Sequence, residues 1–362
     1  MSFPFVQPYF GLGNSLQTAQ ASGGGGGGSP AGGWVELART TLGSANTDML
    51  VSSLPDKRYY MILGHGQGYG SAVSNFRHRF NGDTGTNYAS RQNQNGGSDS
   101  TYTGLNGIQQ DKATNGDSGA IIVGYVANKS DKEKLMIMHT GEFGGTGAGT
   151  APVNRKEIVG KWANTSDPIS SYTWTQYQGT DQFQSGNEVV VLGWDPTDTH
   201  TSNFWEELDS FTQTSASPSI DLTLTGKKYL WIQFFAKATT VTGVEMQFNS
   251  DTGSNYAERN SNDGAADATG VSKTKLERFS NAIGSGETCY GNTFIVNNAS
   301  NEKLCITHSV DTGTGSGAAN AAGRREVVGK WANTSAQITA LKFFVGNGNL
   351  DVGSTIKVWG SN

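Results

Sequence analysis

From residue 34 onward the chain is paced by short apolar runs set between clusters of Gly, Asn, Asp and Ser. The first half offers "DMLVSSL", "RYYMILG", "GAIIVGYV", "KLMIMHT", "EIVGKWA" and "EVVVLGW". The second offers "SIDLTLT", "KYLWIQFFA", "VEMQFN", "TFIVNN", "KLCITH", "EVVGKWA" and "TIKVWG". Several alternate apolar and polar residues, the period of half-buried antiparallel strands. No stretch of about 11 residues or more holds a helical period. The pattern predicts an all-β chain.

The runs also repeat. "GKWANTS" stands at Gly160–Ser166 and again at Gly329–Ser335, an offset of 169 that also joins "KLMIMH" to "KLCITH". "FNGDTGTNYASR" (Phe80–Arg91) matches "FNSDTGSNYAER" (Phe248–Arg259) at 168, and "WVEL" matches "WEEL" at 171. "GNEVVVLG" matches "GSTIKVWG" at 167. Order is kept and the offset drifts by a few residues, which is the signature of a duplicated domain with small loop insertions. Each copy has the length of one domain rather than of a solenoid repeat. Eight to ten short strands per copy predict two tandem, duplicated β-sandwich domains of jelly-roll type, with a closed barrel as the alternative. The boundaries are an arm over 1–33, a first copy over 34–196, a linker over 197–203 and a second copy over 204–362.

The arm has no counterpart before the second copy. "ASGGGGGGSPAGG" (Ala21–Gly33) is a flexible tether by composition. Ahead of it, Phe3, Phe5, Tyr9, Phe10 and Leu12 are bulky apolar groups in a segment too short to bury them. They are expected to anchor the protein in a partner.

Composition narrows the function classes. Charged residues are 16% of 362 and aromatics 10%, which argues for packed cores over disorder. A net charge of -5 argues against nucleic acid as a partner, since phosphate binding needs a clustered positive field. No apolar run reaches the length of a membrane-spanning helix, so no membrane insertion is expected. The amino terminus lacks the basic and apolar regions of a secretory signal. Cys289 and Cys305, the two cysteines, are expected to be free thiols in a reducing cytoplasm.

Candidate chemistry is sparse. "NGDSGA" (Asn115–Ala120) carries the G-D-S-G that surrounds a protease nucleophile, with His65, His78 and Asp83 upstream. No "AAHC"-like stretch surrounds either His, and the second copy has "GSGETCYG" instead, so Ser118 is expected in a turn of common turn residues. Asp83 and Asp251, in "NGDTGTNY" and "NSDTGSNY", offer too few oxygens for calcium and are expected to close Asx-type turns. Trp162 and Trp331 are read as core anchors whose indole N–H finds a partner at the sandwich edge, with a sugar platform as the alternative. His139 and His308 are repeat-equivalent, and no second His or Cys lies at metal-ligand spacing in both copies, so they are read as structural. No cofactor or metal is implied. Glycan hydrolysis would need an acidic pair at fixed separation, which the sequence does not single out.

The "GKWANTS" strand with the closing "VGSTIKVWGSN", together with "QPYFGLGNSLQTAQA" and "FNGDTGTNYASR", resembles virion structural proteins of tailed phages, of marine and cyanophage type. The resemblance implies a fibre, decoration or tail-associated role, in a virion assembled in the host cytoplasm, with no common catalytic residues. The expected function is a non-enzymatic virion protein whose arm docks on other virion proteins while two β-domains project. A homo-oligomer, a trimer among the options, is expected. The alternative is a carbohydrate-binding protein recognising a host-surface glycan.

Overall fold

The computed structural model describes residues 33–69, 74–113, 119–177, 182–196, 198, 203–284, 286–312, 318 and 321–362. The arm anchors Phe3, Phe5, Tyr9, Phe10 and Leu12, and Ser118, lie outside these residues. Among the described residues every regular element is a strand.

The first copy opens with β1 (Val35–Thr41), β2 (Asp48–Val51), β3 (Tyr59–Tyr69) and β4 (Ser74–Phe80). A hairpin follows, β5 (Tyr88–Gln94) and β6 (Ser100–Leu105), then β7 (Ile108–Ala113) and β8 (Gly119–Ala127). A second hairpin is β9 (Lys134–Phe143) and β10 (Asn154–Trp162). The copy closes with β11 (Tyr172–Gln176), the short β12 (Gln182–Phe183) and β13 (Glu188–Trp194). The large sheet runs β1-β13-β3-β8-β9-β10-β5-β6, with β12 beside β3, and the small sheet runs β2-β11-β4-β7. The four strands β1-β13-β3-β8 facing the small sheet have the connectivity of an eight-stranded jelly roll. The two hairpins extend the large sheet by four strands.

The second copy contains β14 (Glu206–Thr212), β15 (Ser219–Thr223), β16 (Tyr229–Lys237) and β17 (Val244–Phe248). It continues with β18 (Tyr256–Asn262), β19 (Ala268–Lys273), β20 (Thr288–Val296) and β21 (Lys303–Asp311). The last three are β22 (Gly323–Trp331), β23 (Ala340–Val345) and β24 (Thr355–Ser361). Its large sheet, β14-β24-β16-β20-β21-β22-β18-β19, repeats the first order strand for strand, and β15-β23-β17 repeats the small one. The fourth small-sheet strand shrinks to isolated bridges, Met246 with Leu276 and Thr242 with Ile283, where the first copy pairs β4 with β7.

Each copy encloses its own core, and a third core lies between them. On β16, Leu230, Ile232, Phe234 and Ala236 point into the second sandwich, while Tyr229 and Trp231 point out and are also buried. The outer faces of the two large sheets therefore pack on each other. Leu63, Ile121 and Val123 of the first copy meet Trp205, Tyr229 and Phe294 of the second. The two copies thus form one four-layered block. Its cause is legible in runs such as "YYMIL", "AIIV" and "YLWI", where strands covered on both faces lose their alternation.

Polar contacts lock the block. Phe204 N donates to Trp34 O at 2.8 Å, joining the starts of the two copies. Lys330 is buried and donates to Gly145 O at 3.0 Å. Glu188 on β13 accepts from Tyr229 Oη at 2.5 Å and pairs with Lys228 Nζ at 2.7 Å.

The two halves of this interface are not equally closed. Leu304, Ile306 and Val328 are buried in it. Their repeat-equivalents Leu135, Ile137 and Val159 are 56%, 54% and 49% exposed, and form one apolar patch because Ile137 and Val159 are paired. On the opposing face, Leu63, Val123 and Val190 are replaced in register by Gln233, Asn292 and Lys357.

Candidate functional site

The repeated heptapeptide is a packing and hydrogen-bonding cassette. Trp162 ends β10 and is buried against Phe80 and Tyr88, with its ring stacked on Tyr88 at 6.2 Å. Its indole N–H donates to Asp83 Oδ2 at 2.7 Å, and Trp331 donates to Asp251 Oδ2 at the same distance. Asp83 also accepts from Gly85 N at 2.8 Å and Asn87 Nδ2 at 2.9 Å, as expected of an Asx turn. Partial burial pushes this carboxyl up, but the bonds from Trp162, Asn87 and Gly85 outweigh it and hold it below its ordinary value. Asn164 and Asn333 each close the following turn by accepting two backbone N–H groups. Glycine at the head of the string has a steric reason: a Cβ on Gly160 would lie 2.7 Å from Ile108, and one on Gly329 2.9 Å from Leu276. Buried Lys134 and Lys303 cap the same loops, donating to Asn164 O and Asn333 O.

Groups of catalytic type in the first copy are bound into its core. Tyr172 Oη lies 2.6 Å from His78 Nδ1, and His78 Nε2 lies 3.0 Å from Gln110 Oε1. Gln110 Nε2 donates to Glu142 at 3.2 Å, and Glu142 also receives Asn154 Nδ2 at 2.7 Å and Lys156 Nζ at 2.5 Å. His78, Gln110, Glu142 and Lys156 are buried, and burial pushes His78 down to about 4. In the second copy Met246 and Leu341 stand in register where His78 and Tyr172 stand in the first. The relay thus belongs to one copy's packing rather than to a chemistry both share.

His65 is buried on β3 and is pushed down to about 4, first by burial and then by Lys228. Its Nε2 lies 3.9 Å from the position a Cβ on Gly119 would take, while its Nδ1 has no hydrogen-bond partner among the described residues. Cys289 and Cys305 are free and buried, and burial pushes both thiols up to about 12.

One cluster was not foreseen. His139 on β9 pairs across the strands with Glu157 on β10, and His308 on β21 pairs with Glu326 on β22. Both pairs face outward from their large sheets and meet at the module interface. The two imidazole centroids are 3.9 Å apart. Burial pushes both imidazoles below their ordinary value, His139 to about 4. Arg155 Nη1 reaches Glu157 at 2.7 Å and Glu326 at 2.5 Å, and its Nη2 reaches Asp267 at 3.0 Å. Burial, then the bond to Glu157, pushes Glu326 above its ordinary value. Reading His139 and His308 as lacking a second ligand holds along the chain but not in space. Each His is one strand away from a Glu at equivalent positions in both copies, and that recurrence was the available signal.

Neither a known protein family nor a curated protein matches the chain.

Proposed function

We propose that the protein is a non-enzymatic structural component of a tailed-phage particle, in a fibre, decoration or tail-associated position. Residues 1–20 dock on neighbouring virion proteins and the Gly-rich segment tethers them to the paired sandwiches. The observation that carries this reading is the mutual packing of the two copies: a duplicated sandwich folded onto itself, behind an apolar arm, is suited to fill a fixed place in an assembly. The resemblance of the arm and the heptapeptide strand to virion proteins supplies the particle. The uncovered trio Leu135, Ile137 and Val159 is the surface on which a homo-oligomer would close.

Each arm aromatic would gain about 1.5–3 kcal/mol on full burial, against backbone ordering of roughly 1–2 kcal/mol per residue. Ordering the whole arm therefore costs more than its aromatics gain, so strand addition to a partner's sheet and multivalent display must make up the difference. A chain beginning at Gly33 is expected to fold and melt like the full protein yet fail to join the particle. Assembly of that shortened chain at full occupancy would show that the arm is not the attachment element.

A carbohydrate-binding role is the second reading. It is favoured by Tyr290, 42% exposed, whose hydroxyl accepts from Gln233 Nε2 at 3.0 Å and Asn292 Nδ2 at 3.2 Å. An exposed ring flanked by amides suits a sugar face. Binding on a glycan array that disappears in Tyr290→Ala would favour this reading; a blank array would sink it.

A further inference from the structure

We infer that the interface between the two copies holds a divalent transition-metal site, with Glu157, His308 and Glu326 as ligands. One ligand atom from each lies within 4.8 Å of the others, so small side-chain movements bring all three onto one ion. His139 packs beside them, against His308 at 3.9 Å between ring centroids. One imidazole nitrogen and two carboxylate oxygens, with the fourth position open, form a set that suits tetrahedral zinc.

The arrangement is built from both copies. Each repeat contributes one His and one Glu from adjacent strands at the same positions. Elsewhere on these faces the copies have diverged, Leu63 to Gln233 and Val123 to Asn292. The donors have therefore stayed while their apolar and polar neighbours exchanged, which packing alone does not require.

Charge balance points the same way. Two carboxyls drawn together in a half-buried site repel each other unless a cation or a proton lies between them. Arg155 supplies part of that charge, but it has a separate acceptor in Asp267, through Nη2 at 3.0 Å and Nε at 3.3 Å. It keeps that pair if it yields the glutamates to an ion. A dication would neutralise the paired carboxylates and tie the first copy to the second.

The test is calorimetric titration of the full chain with zinc chloride at neutral pH after chelator treatment, followed by cobalt substitution. One zinc per chain is expected, with a raised melting temperature and the intense visible absorption of tetrahedral cobalt. Partners outside the coordination sphere are commonly worth about 10–100-fold in affinity, so loss of a direct ligand in His308→Ala or Glu326→Gln should cost at least about 100-fold. Absence of saturable binding at submillimolar zinc would overturn the site. So would binding that survives both substitutions in chains that still melt cooperatively. Should either variant fail to fold, the wild-type cobalt spectrum decides: weak octahedral absorption refutes the proposed ligand set.

Discussion

Trp162 and Asp83 are 79 positions apart in the chain, and the indole N–H of one meets the carboxylate of the other at 2.7 Å. Trp331 and Asp251 repeat the bond in the second copy. Each pair ties the end of a large-sheet strand to the turn after a small-sheet strand, so it fixes how the two sheets of one sandwich meet at that edge. Trp162→Phe should keep most of the ring packing and lose the bond, costing about 1–3 kcal/mol in urea unfolding. Trp331→Phe should cost the same, and the two losses should add because the sites share no partner. A loss within about 0.5 kcal/mol for both would place the motif among ordinary surface bonds.

The repeat made both partners conspicuous but could not join them, because no local pattern reports a bond across 79 residues. Legibility elsewhere followed the same limit. The jelly-roll strands were readable because Met246, Phe248 and their like alternate with polar neighbours on one buried face. The β5–β6 hairpin was harder: "STYTGL" is an edge strand with little buried surface to impose an apolar pattern. The face-to-face packing showed only as lost alternation, in strands such as the one carrying Leu230, Trp231 and Ile232, which does not name the partner face. The His–Glu cluster needed that packing first, since half of its groups come from each copy.

Glu142 should be among the least replaceable residues of the first copy. It neutralises Lys156 inside the sandwich, and both side chains are fully shielded from solvent. Glu142→Gln would leave a buried ammonium without its counter-ion, at a cost of about 3–5 kcal/mol. Exchanging His78→Met and Tyr172→Leu together, the pair found in register in the second copy, should be much milder because both polar ends leave at once. Equal losses from the two changes, measured by chemical denaturation, would contradict the view that the unpaired charge dominates.

Glu258 gives the fold a pH dependence of unusual sign. Burial pushes this carboxyl up to about 7, opposed by the bond from Glu277 N at 2.8 Å. The folded chain therefore holds its proton where the unfolded chain has released it. Stability from this group is present below the unfolded value near 4.5 and is lost as pH rises through about 7. Glu258→Gln removes the charge and should melt higher than wild type at pH above 7, by an amount on the order of 3 kcal/mol. At about pH 3.5, a unit below the unfolded value near 4.5, the difference should nearly vanish. A gap that stays constant across this range would mean that Glu258 is ionised throughout.

Ser118 is expected to be unreactive despite its G-D-S-G setting. A serine nucleophile needs a base on one side and an acid that orients that base on the other. The histidine nearest the following strand is His65, and its Nδ1, where the orienting acid would bind, has no partner among the described residues. Glu188 pairs with the backbone of His65 across the strands, but its carboxylate is held by Tyr229, Lys228 and Thr41. With that acid engaged elsewhere, no described acid fixes the tautomer of His65, and its depressed basicity makes it a poor proton acceptor at neutral pH. Incubation with a fluorophosphonate probe should leave the protein unlabelled, with Ser118→Ala indistinguishable from wild type. Stoichiometric labelling lost in Ser118→Ala and in His65→Ala would establish a nucleophile and overturn the non-enzymatic reading.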